Sequence, residues 1–139
     1  MGRQSVQAHL RNGDDPIMSF ITRSINLLIF LSVVLGVLLL PQLYGVVPTW
    51  LFYSVMGGWL AYVIVAALAA TGHKLAYPLA FVLSILTLIV SVPQPEHQSF
   101  VTAGLSLASL TFLAGSAIQL GLVILIPVYY LRKGSANPS

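Results

Sequence analysis

The sequence has no cysteine and very few charged residues. Cysteine is absent from all 139 residues, which excludes disulfide bonds, thiolate metal ligands and cysteine nucleophiles. Charged residues make up 6% of the chain, whereas a soluble domain carries about 25%. Hydrophobic residues make up 58%, so the chain could not cover a folded surface with polar groups in water. These values predict one domain whose solvent is lipid.

The six lysine and arginine residues give a formal net charge of +3, but they form no basic patch. Short runs rich in lysine and arginine are absent, so a nucleic-acid partner is not expected. The charges lie instead near the ends of apolar stretches, where they report orientation in a membrane. The partner predicted from composition alone is the lipid bilayer.

Four apolar stretches, separated by proline, glycine or polar residues, predict four transmembrane helices. A polar segment of residues 1–15 precedes the membrane domain of residues 16–133, and a disordered tail of residues 134–139 is expected to follow. The predicted spans cover about 17–40, 49–70, 75–92 and 100–131. The expected fold class is therefore an all-α integral membrane protein, built as a bundle of four transmembrane helices.

Proline, glycine and aspartate mark the expected helix ends. Asp15 and Pro16 suit the start of the first span, because aspartate can cap free N–H groups and proline fits the first turn. Pro41 is expected to end that span, and Gly72 to cap the end of the second. The fourth span would measure about 48 Å as one helix, which exceeds the bilayer core, so the helix is expected to tilt, bend or protrude, and Pro127 is the candidate position for a bend.

Charge placement predicts that both termini lie in the cytoplasm. Loops on the cytoplasmic side of a membrane carry an excess of lysine and arginine. With four spans, all the cations fall on one side of the membrane: Arg3, Arg11, Arg23, Lys74, Arg132 and Lys133. A count of three or five spans would place the last two cations on the wrong side.

The acids and histidines that could carry chemistry lie outside the predicted spans. They are Asp14, Asp15, Glu96, His9, His73 and His97. A transporter coupled to protons or sodium usually needs an ionisable group at bilayer depth, and haem held between helices needs axial ligands there. No cofactor, metal site or catalytic residue is therefore predicted, and an enzyme is not expected.

Some of these residues allow a functional and a simpler interpretation. Glu96 and His97 could form a pH-sensitive contact or a weak metal site, but two adjacent ligands cannot complete a zinc site, so a solvated loop is expected. His73 suits a contact with lipid headgroups better than the role of a general base. The pair Asp14 and Asp15 precedes a proline and is interpreted as a helix cap.

Small residues recur at helical spacing in the second and fourth spans, a pattern that lets helices approach closely in lipid. The second span carries Gly57 and Ala61, and the fourth carries a longer series: Gly104, Ala108, Thr111, Gly115 and Gly121. These residues are candidates for helix packing inside one bundle or for an interface with another subunit. The second alternative predicts a homo-oligomer or a larger membrane complex.

Gln119 is the polar residue of greatest interest inside a span. A buried amide in lipid must find a hydrogen-bonding partner, because no water is available to replace one. Gln119 could line a water path, but a cross-link between helices is the simpler interpretation.

The function expected from these observations is that of a non-catalytic structural or accessory subunit. Such a protein would assemble through its small-residue helix faces with itself or with a larger membrane complex. An alternative is a small channel or dimeric carrier for an uncharged or lipophilic solute. A membrane enzyme acting on lipid at the interface ranks last, because only His73, Glu96 and His97 could serve it.

Overall fold

The computed structural model describes residues 15–93, 95, 102 and 106–136, and within them the chain is helical with no strand. The described residues form four helices: α1 Pro16–Leu43, α2 Thr49–Ala70, α3 Ala76–Ser91 and α4 Leu107–Ala136. The predicted all-α architecture of four apolar helices is confirmed.

Helix α1 begins where the sequence predicts and ends later. Asp15 Oδ1 accepts a hydrogen bond from the Ile17 N–H at 3.1 Å, which confirms the predicted cap. Pro41 was expected to end the helix, and this is wrong, since α1 continues through Pro41 to Leu43. A proline removes only one backbone hydrogen bond so close to the end, and Gln42 Nε2 donates to the Leu38 carbonyl at 2.7 Å.

Helix α2 ends in a turn that needs a glycine. Gly72 has a φ of 69°, in the left-handed region that glycine adopts without steric cost. The His73 N–H donates to the Leu68 carbonyl at 2.9 Å, and the Gly72 N–H donates to the Ala69 carbonyl at 3.1 Å. This pair of bonds is the Schellman arrangement, and it confirms the predicted cap at Gly72.

Helix α4 differs from its predicted range at both ends. In the described part it begins after Ser106, whose Oγ accepts from the Ser109 N–H at 3.1 Å. Residues 100, 101 and 103–105 of the predicted span lie outside the described residues. At the other end the helix continues to Ala136, three residues into the segment 134–139 for which a disordered tail is expected. Pro127 lies inside α4 without interrupting it.

The four helices form a ring in which each packs against two others. Helices α1 and α3 both pack against α2 and α4. The core between them is apolar and is built largely from β-branched residues and alanine. Its buried members are Ile21, Ile25, Ile29, Tyr62, Val65, Ala66, Ala69, Ala76, Ala80, Leu122 and Ile126.

The outer surface of the bundle is apolar. Large hydrophobic side chains remain exposed along every helix, including Phe20 at 69% and Leu131 at 72%. Helices α1, α2 and α4 are long and apolar enough to cross a membrane, and α3 is a shorter apolar helix. Exposed apolar area on this scale is unfavourable in water and suits a lipid environment. These features identify the chain as a helical membrane protein.

One end of the bundle holds the start of α1, the α2–α3 turn and the end of α4, and is called here the basic end. Tyr77 near the start of α3 donates to Asn26 Oδ1 of α1 at 3.1 Å, and its ring lies 5.0 Å from that of Tyr129 on α4. Lys133 Nζ lies 5.6 Å from the Tyr129 ring centre. The other described cations at this end are Arg23, Lys74 and Arg132.

Candidate binding cavity

A chain of buried polar side chains crosses the middle of the bundle and takes one member from each helix. Tyr62 of α2 donates its hydroxyl to Gln119 Oε1 of α4. The Tyr62 hydroxyl also lies 2.9 Å from Ser84 Oγ of α3. Gln119 Nε2 donates to Ser32 Oγ of α1 at 3.3 Å. These four residues are called here the polar layer.

Each serine of the polar layer is held by its own helix. Ser32 donates to the Leu28 carbonyl at 3.0 Å, and Ser84 donates to the Ala80 carbonyl at 2.7 Å. Serine can make this bond one turn back along a helix. Ser32 then keeps its oxygen as the acceptor for Gln119, whereas the single Ser84 proton serves either the Ala80 carbonyl or the Tyr62 oxygen, since the Tyr62 proton goes to Gln119. The layer therefore satisfies polar atoms that lipid could not, and it links all four helices.

A half-open cavity of about 390 Å³ lies between the polar layer and the end of the bundle opposite the basic end. Side chains from all four helices line it, and the polar layer contributes Ser32, Tyr62 and Gln119 to its floor. The remaining described walls are mostly leucine, valine, glycine and aromatic residues, and none of the described lining residues is an acid, histidine, lysine or arginine. The core cluster fills the bundle on the other side of the floor.

The cavity owes part of its volume to glycines. Gly58 of α2 and Gly115 of α4 line it, and a Cβ atom placed on either would meet no atom within 4 Å. Gly36 of α1 also lines it but is packed differently, because a Cβ there would collide with the Trp59 ring. The Trp59 indole N–H donates to the Val33 carbonyl at 3.0 Å, so the ring is fixed across α1.

Two hydrogen-bond donors of the cavity have no acceptor within the described part of the chain. The Gln119 amide has two N–H groups, and one of them is used by Ser32. Ser116 lines the cavity one turn from Gln119, and its hydroxyl makes no hydrogen bond with the described residues. By contrast, Ser54, Thr87 and Thr111 each donate to a carbonyl of their own helix at 2.7–2.8 Å.

The exposed side of the cavity is shared by α2 and α3. Among its described lining residues, those classed as exposed are Ser54 on α2 and Leu86 and Val90 on α3. All three lie within helices that are apolar along their length. These exposed lining residues therefore lie where lipid tails would surround the bundle, rather than among charged residues.

The residues singled out from the sequence occupy several environments. Gln119 is in the cavity floor, and Thr111 and Gly115 are in its wall. Gly121 packs inside the bundle, since a Cβ there would lie 3.0 Å from Leu28 Cδ1. Gly57 is exposed and Ala61 is half-buried. Gly104 and the side chain of Ala108 lie outside the described residues.

Sequence reasoning selected Gln119 but not the other members of the site. Tyr62, Ser32 and Ser84 complete the polar layer, and Gly58 and Ser116 shape the cavity. A usable signal was present, because Ser32, Tyr62 and Ser84 each lie well inside a predicted apolar span. A polar side chain at that depth needs a hydrogen-bonding partner, and the other polar side chains inside the spans are the candidates.

Of the ionisable residues discussed above, none that the structure describes lines the cavity. His73 is exposed in the α2–α3 turn, where its Nδ1 accepts from the Leu75 N–H at 3.3 Å. Asp14, Glu96 and His97 lie outside the described residues. Within the described ranges, no group of three or more histidine, aspartate or glutamate side chains is placed to hold a metal ion.

Comparison with known proteins returned no relative. No family model matches the chain, and no curated protein or solved structure is significantly similar to it.

Proposed function

We propose that this chain is a small, non-catalytic, multi-pass membrane protein that binds an uncharged lipophilic molecule and carries it within or across the bilayer. The observation that carries the proposal is the half-open cavity between four apolar helices, with a polar floor. Its volume of about 390 Å³ falls within the range of about 300–1,000 Å³ that ligand pockets occupy.

The chemistry of the wall supports an uncharged ligand. A buried charge needs an opposite charge or several hydrogen bonds to offset its loss of hydration. The described lining residues provide hydroxyl, amide and indole groups on an apolar background, and these groups suit a neutral molecule. A lipophilic molecule would replace lipid tails in contact with Leu35, Leu39 and Leu83, which lie in this wall.

The distribution of packing favours a carrier or receptor over an open channel. Between the floor and the basic end, the bundle is filled by the apolar core around Ile25, Ile29 and Leu122, each fully buried. A cavity open on one side and closed by a packed core on the other holds a molecule rather than conducting it. Carriage would require the core to loosen in a second conformation.

We further propose that the basic end faces the cytoplasm and that the cavity lies in the opposite half of the membrane. Arg23, Lys74, Arg132 and Lys133 lie at that end, and the described α1–α2 link at residues 44–48 carries no charge. The excess of cations supports a cytoplasmic position for the basic end. Four crossings follow if α3, whose 16 residues measure about 24 Å, spans the membrane with its neighbours.

The test is saturable binding of a bromoalkane to the protein in lipid nanodiscs, read by quenching of Trp59 fluorescence. Trp59 lines the cavity, and a Trp50→Phe background removes the other tryptophan, which is 59% exposed. Gly58→Leu and Gly115→Leu fill the cavity from opposite helices. Gly57→Leu is the matched control, because Gly57 is the adjacent residue and does not line the cavity.

Binding in the cavity predicts a saturable quenching component in the parent protein and in Gly57→Leu, and its loss in both filled variants. Bromoalkane dissolved in the surrounding lipid gives only a component that rises linearly with its mole fraction. Purely linear quenching in the parent protein, or saturable quenching that survives both filling substitutions, would contradict the proposal.

A second candidate is the structural or accessory subunit predicted from the small-residue faces. The observation that favours it is Gly57, which is exposed on α2 and whose absent side chain leaves open space, so another helix could approach there. The mass and composition of the particle after gentle detergent extraction test this role. Gly57→Leu should then release a partner or lower the copy number, while an unchanged monomeric particle counts against it.

A further inference from the structure

We infer that the molecule bound in the cavity carries a carbonyl oxygen at one end, which sits at the floor and accepts hydrogen bonds from Gln119 and Ser116, and that it enters from the lipid between α2 and α3. The inference rests on the proposed function and adds to it the chemical class of the ligand and the route of access. Two hydrogen-bond donors of the cavity, on Gln119 and Ser116, are left unused by the described protein.

Gln119 is a positioned donor rather than a mobile one. It is only 5% exposed, and its amide is held on both sides, by the Tyr62 hydroxyl at Oε1 and by Ser32 at Nε2. The remaining N–H therefore has a fixed direction without further ordering of the side chain. An acceptor brought to it would satisfy a buried polar group that apolar contents of the cavity would leave unpaired.

Ser116 adds a second donor on the same face of α4. It precedes Gln119 by three residues, a spacing that places two side chains next to each other on a helix. Its hydroxyl is free to rotate toward an acceptor, because no described residue holds it. Together the two residues offer two hydrogens to one site, and a carbonyl oxygen has two lone pairs with which to accept them.

Each acceptor of the floor already receives one hydrogen bond, whereas the second Gln119 N–H and the Ser116 hydroxyl donate to no described residue, so an acceptor on the ligand offsets a larger cost than a donor would. Gln119 Oε1 accepts from Tyr62, and Ser32 Oγ accepts from Gln119. Among the described lining residues there is no carboxylate to pair with a cation and no cation to pair with an anion. The floor is thus complementary to a neutral acceptor such as a ketone, aldehyde, ester or quinone.

The shape of the cavity sets the orientation of the rest of the ligand. Along α1 the wall runs from Ser32 in the floor to Leu43, a length of about 16 Å at the helical rise per residue. The exposed lining residues Ser54, Leu86 and Val90 lie on α2 and α3. A lipophilic body would follow the apolar wall from the floor toward this exposed side and remain continuous with the lipid.

The test compares a bromine-labelled medium-chain methyl ketone with the bromoalkane of equal length in the same Trp59 quenching assay. We expect the ketone to saturate at a mole fraction roughly five- to tenfold lower, which is the effect of one to two net hydrogen bonds. Ser116→Ala should reduce this preference several-fold without changing the bromoalkane curve, because the Ser116 hydroxyl has no partner within the described structure.

Ser54→Ala is the matched control, since Ser54 also lines the cavity but donates its hydroxyl to the Trp50 carbonyl at 2.8 Å. The ketone preference should persist in this variant. Isotope-edited infrared spectroscopy of the bound ketone supplies a second readout, in which the carbonyl stretch shifts to lower frequency on binding and moves back in Ser116→Ala.

The outcomes separate the two proposals. Saturable binding of both probes with equal strength, or a ketone preference that Ser116→Ala leaves unchanged, overturns the inference and leaves the lipophilic cavity standing. Absence of saturable binding for either probe removes the proposed function as well. A preference lost equally in Ser54→Ala and Ser116→Ala also overturns the inference, because it would not depend on the free donor.

Discussion

Gly57 and Gly58 are consecutive residues of α2 that face different surroundings. Gly58 lines the cavity, whereas Gly57 is exposed and is not among the described lining residues. A Cβ atom on either glycine would meet nothing within 4 Å, so both have room for a side chain. On helix α2, Gly58 therefore leaves space in the cavity, and Gly57 leaves space on the outer surface. This pairing makes small substitutions at the two positions directly comparable.

Alanine at either glycine should stabilise the protein. Glycine inside a helix costs roughly 0.5–1 kcal/mol relative to alanine, and neither new methyl group meets an atom. We expect Gly57→Ala and Gly58→Ala each to raise the free energy of unfolding by about that amount, measured by detergent-driven unfolding in mixed micelles. A loss of stability in Gly58→Ala alone would show that the cavity has no room for a methyl group at this position.

Alanine at Gly36 should have the opposite effect. A Cβ atom there collides with the Trp59 ring, and the ring is fixed by its bond to the Val33 carbonyl. Overpacking of this kind costs about 1–3 kcal/mol. We expect Gly36→Ala to lower the free energy of unfolding by that amount and to shift the Trp59 emission, as the indole leaves its partner.

Gly115→Ala provides the control for this collision, because it lies in the same cavity wall and its Cβ meets nothing. It should leave the Trp59 emission unchanged. Equal emission from both variants would mean that Trp59 does not pack against Gly36 in the membrane.

The Tyr62–Gln119 bond should appear as coupling in a double-mutant cycle. Tyr62→Phe removes the hydroxyl that contacts Gln119 and Ser84, and Gln119→Leu removes the amide between Tyr62 and Ser32. We expect each single change to cost about 1–2 kcal/mol, since each leaves a buried polar partner without its bond. The double variant should cost less than the sum by about 0.5–2 kcal/mol.

Tyr53→Phe is the matched control for the loss of a tyrosine hydroxyl. Tyr53 lies on the same helix, is exposed, and its hydroxyl makes no hydrogen bond with the described residues. Its effect on unfolding should be close to zero. Strict additivity of Tyr62→Phe and Gln119→Leu would show that the two side chains do not interact.

The fold was largely predictable because it depends on local features of the chain. The bounds of α2 agree with the predicted range, and Asp15 and Gly72 act as caps through bonds to neighbouring backbone groups. The prediction that Pro41 ends α1 was wrong because a proline clashes with the preceding turn of its helix, and this clash is tolerated near a helix end. Helix α4 runs on to Ala136, because polar composition alone does not end a helix that is already formed.

The cavity could not be predicted in the same way, because it depends on how the helices are rotated against one another. The spacing of Gly115 and Thr111 indicates a small face on α4 but does not say whether that face meets a helix or a space. A rotation of one residue would exchange Gly57 for Gly58 in the cavity wall. Gln119 was predicted to need a hydrogen-bonding partner. Identifying Tyr62 as that partner requires knowing how α2 and α4 are shifted against each other along the bundle axis.

The proposed orientation predicts which loops react with a reagent that cannot cross the membrane. The chain contains no cysteine, so single substitutions give labelling sites without background. Val46→Cys, His73→Cys and Ser135→Cys place a thiol at exposed positions in the α1–α2 link, in the α2–α3 turn and near the end of α4. On intact cells, we expect a charged maleimide to label only Val46→Cys, because the other two lie at the basic end on the cytoplasmic side.

Permeabilised cells should show labelling at all three positions, and the parent chain should show none. Labelling of His73→Cys and Ser135→Cys in intact cells, with Val46→Cys protected, would mean that the basic end faces outward. Labelling of only one of these two would mean that α3 and α4 do not both cross, and the count of four spans would fall with the orientation.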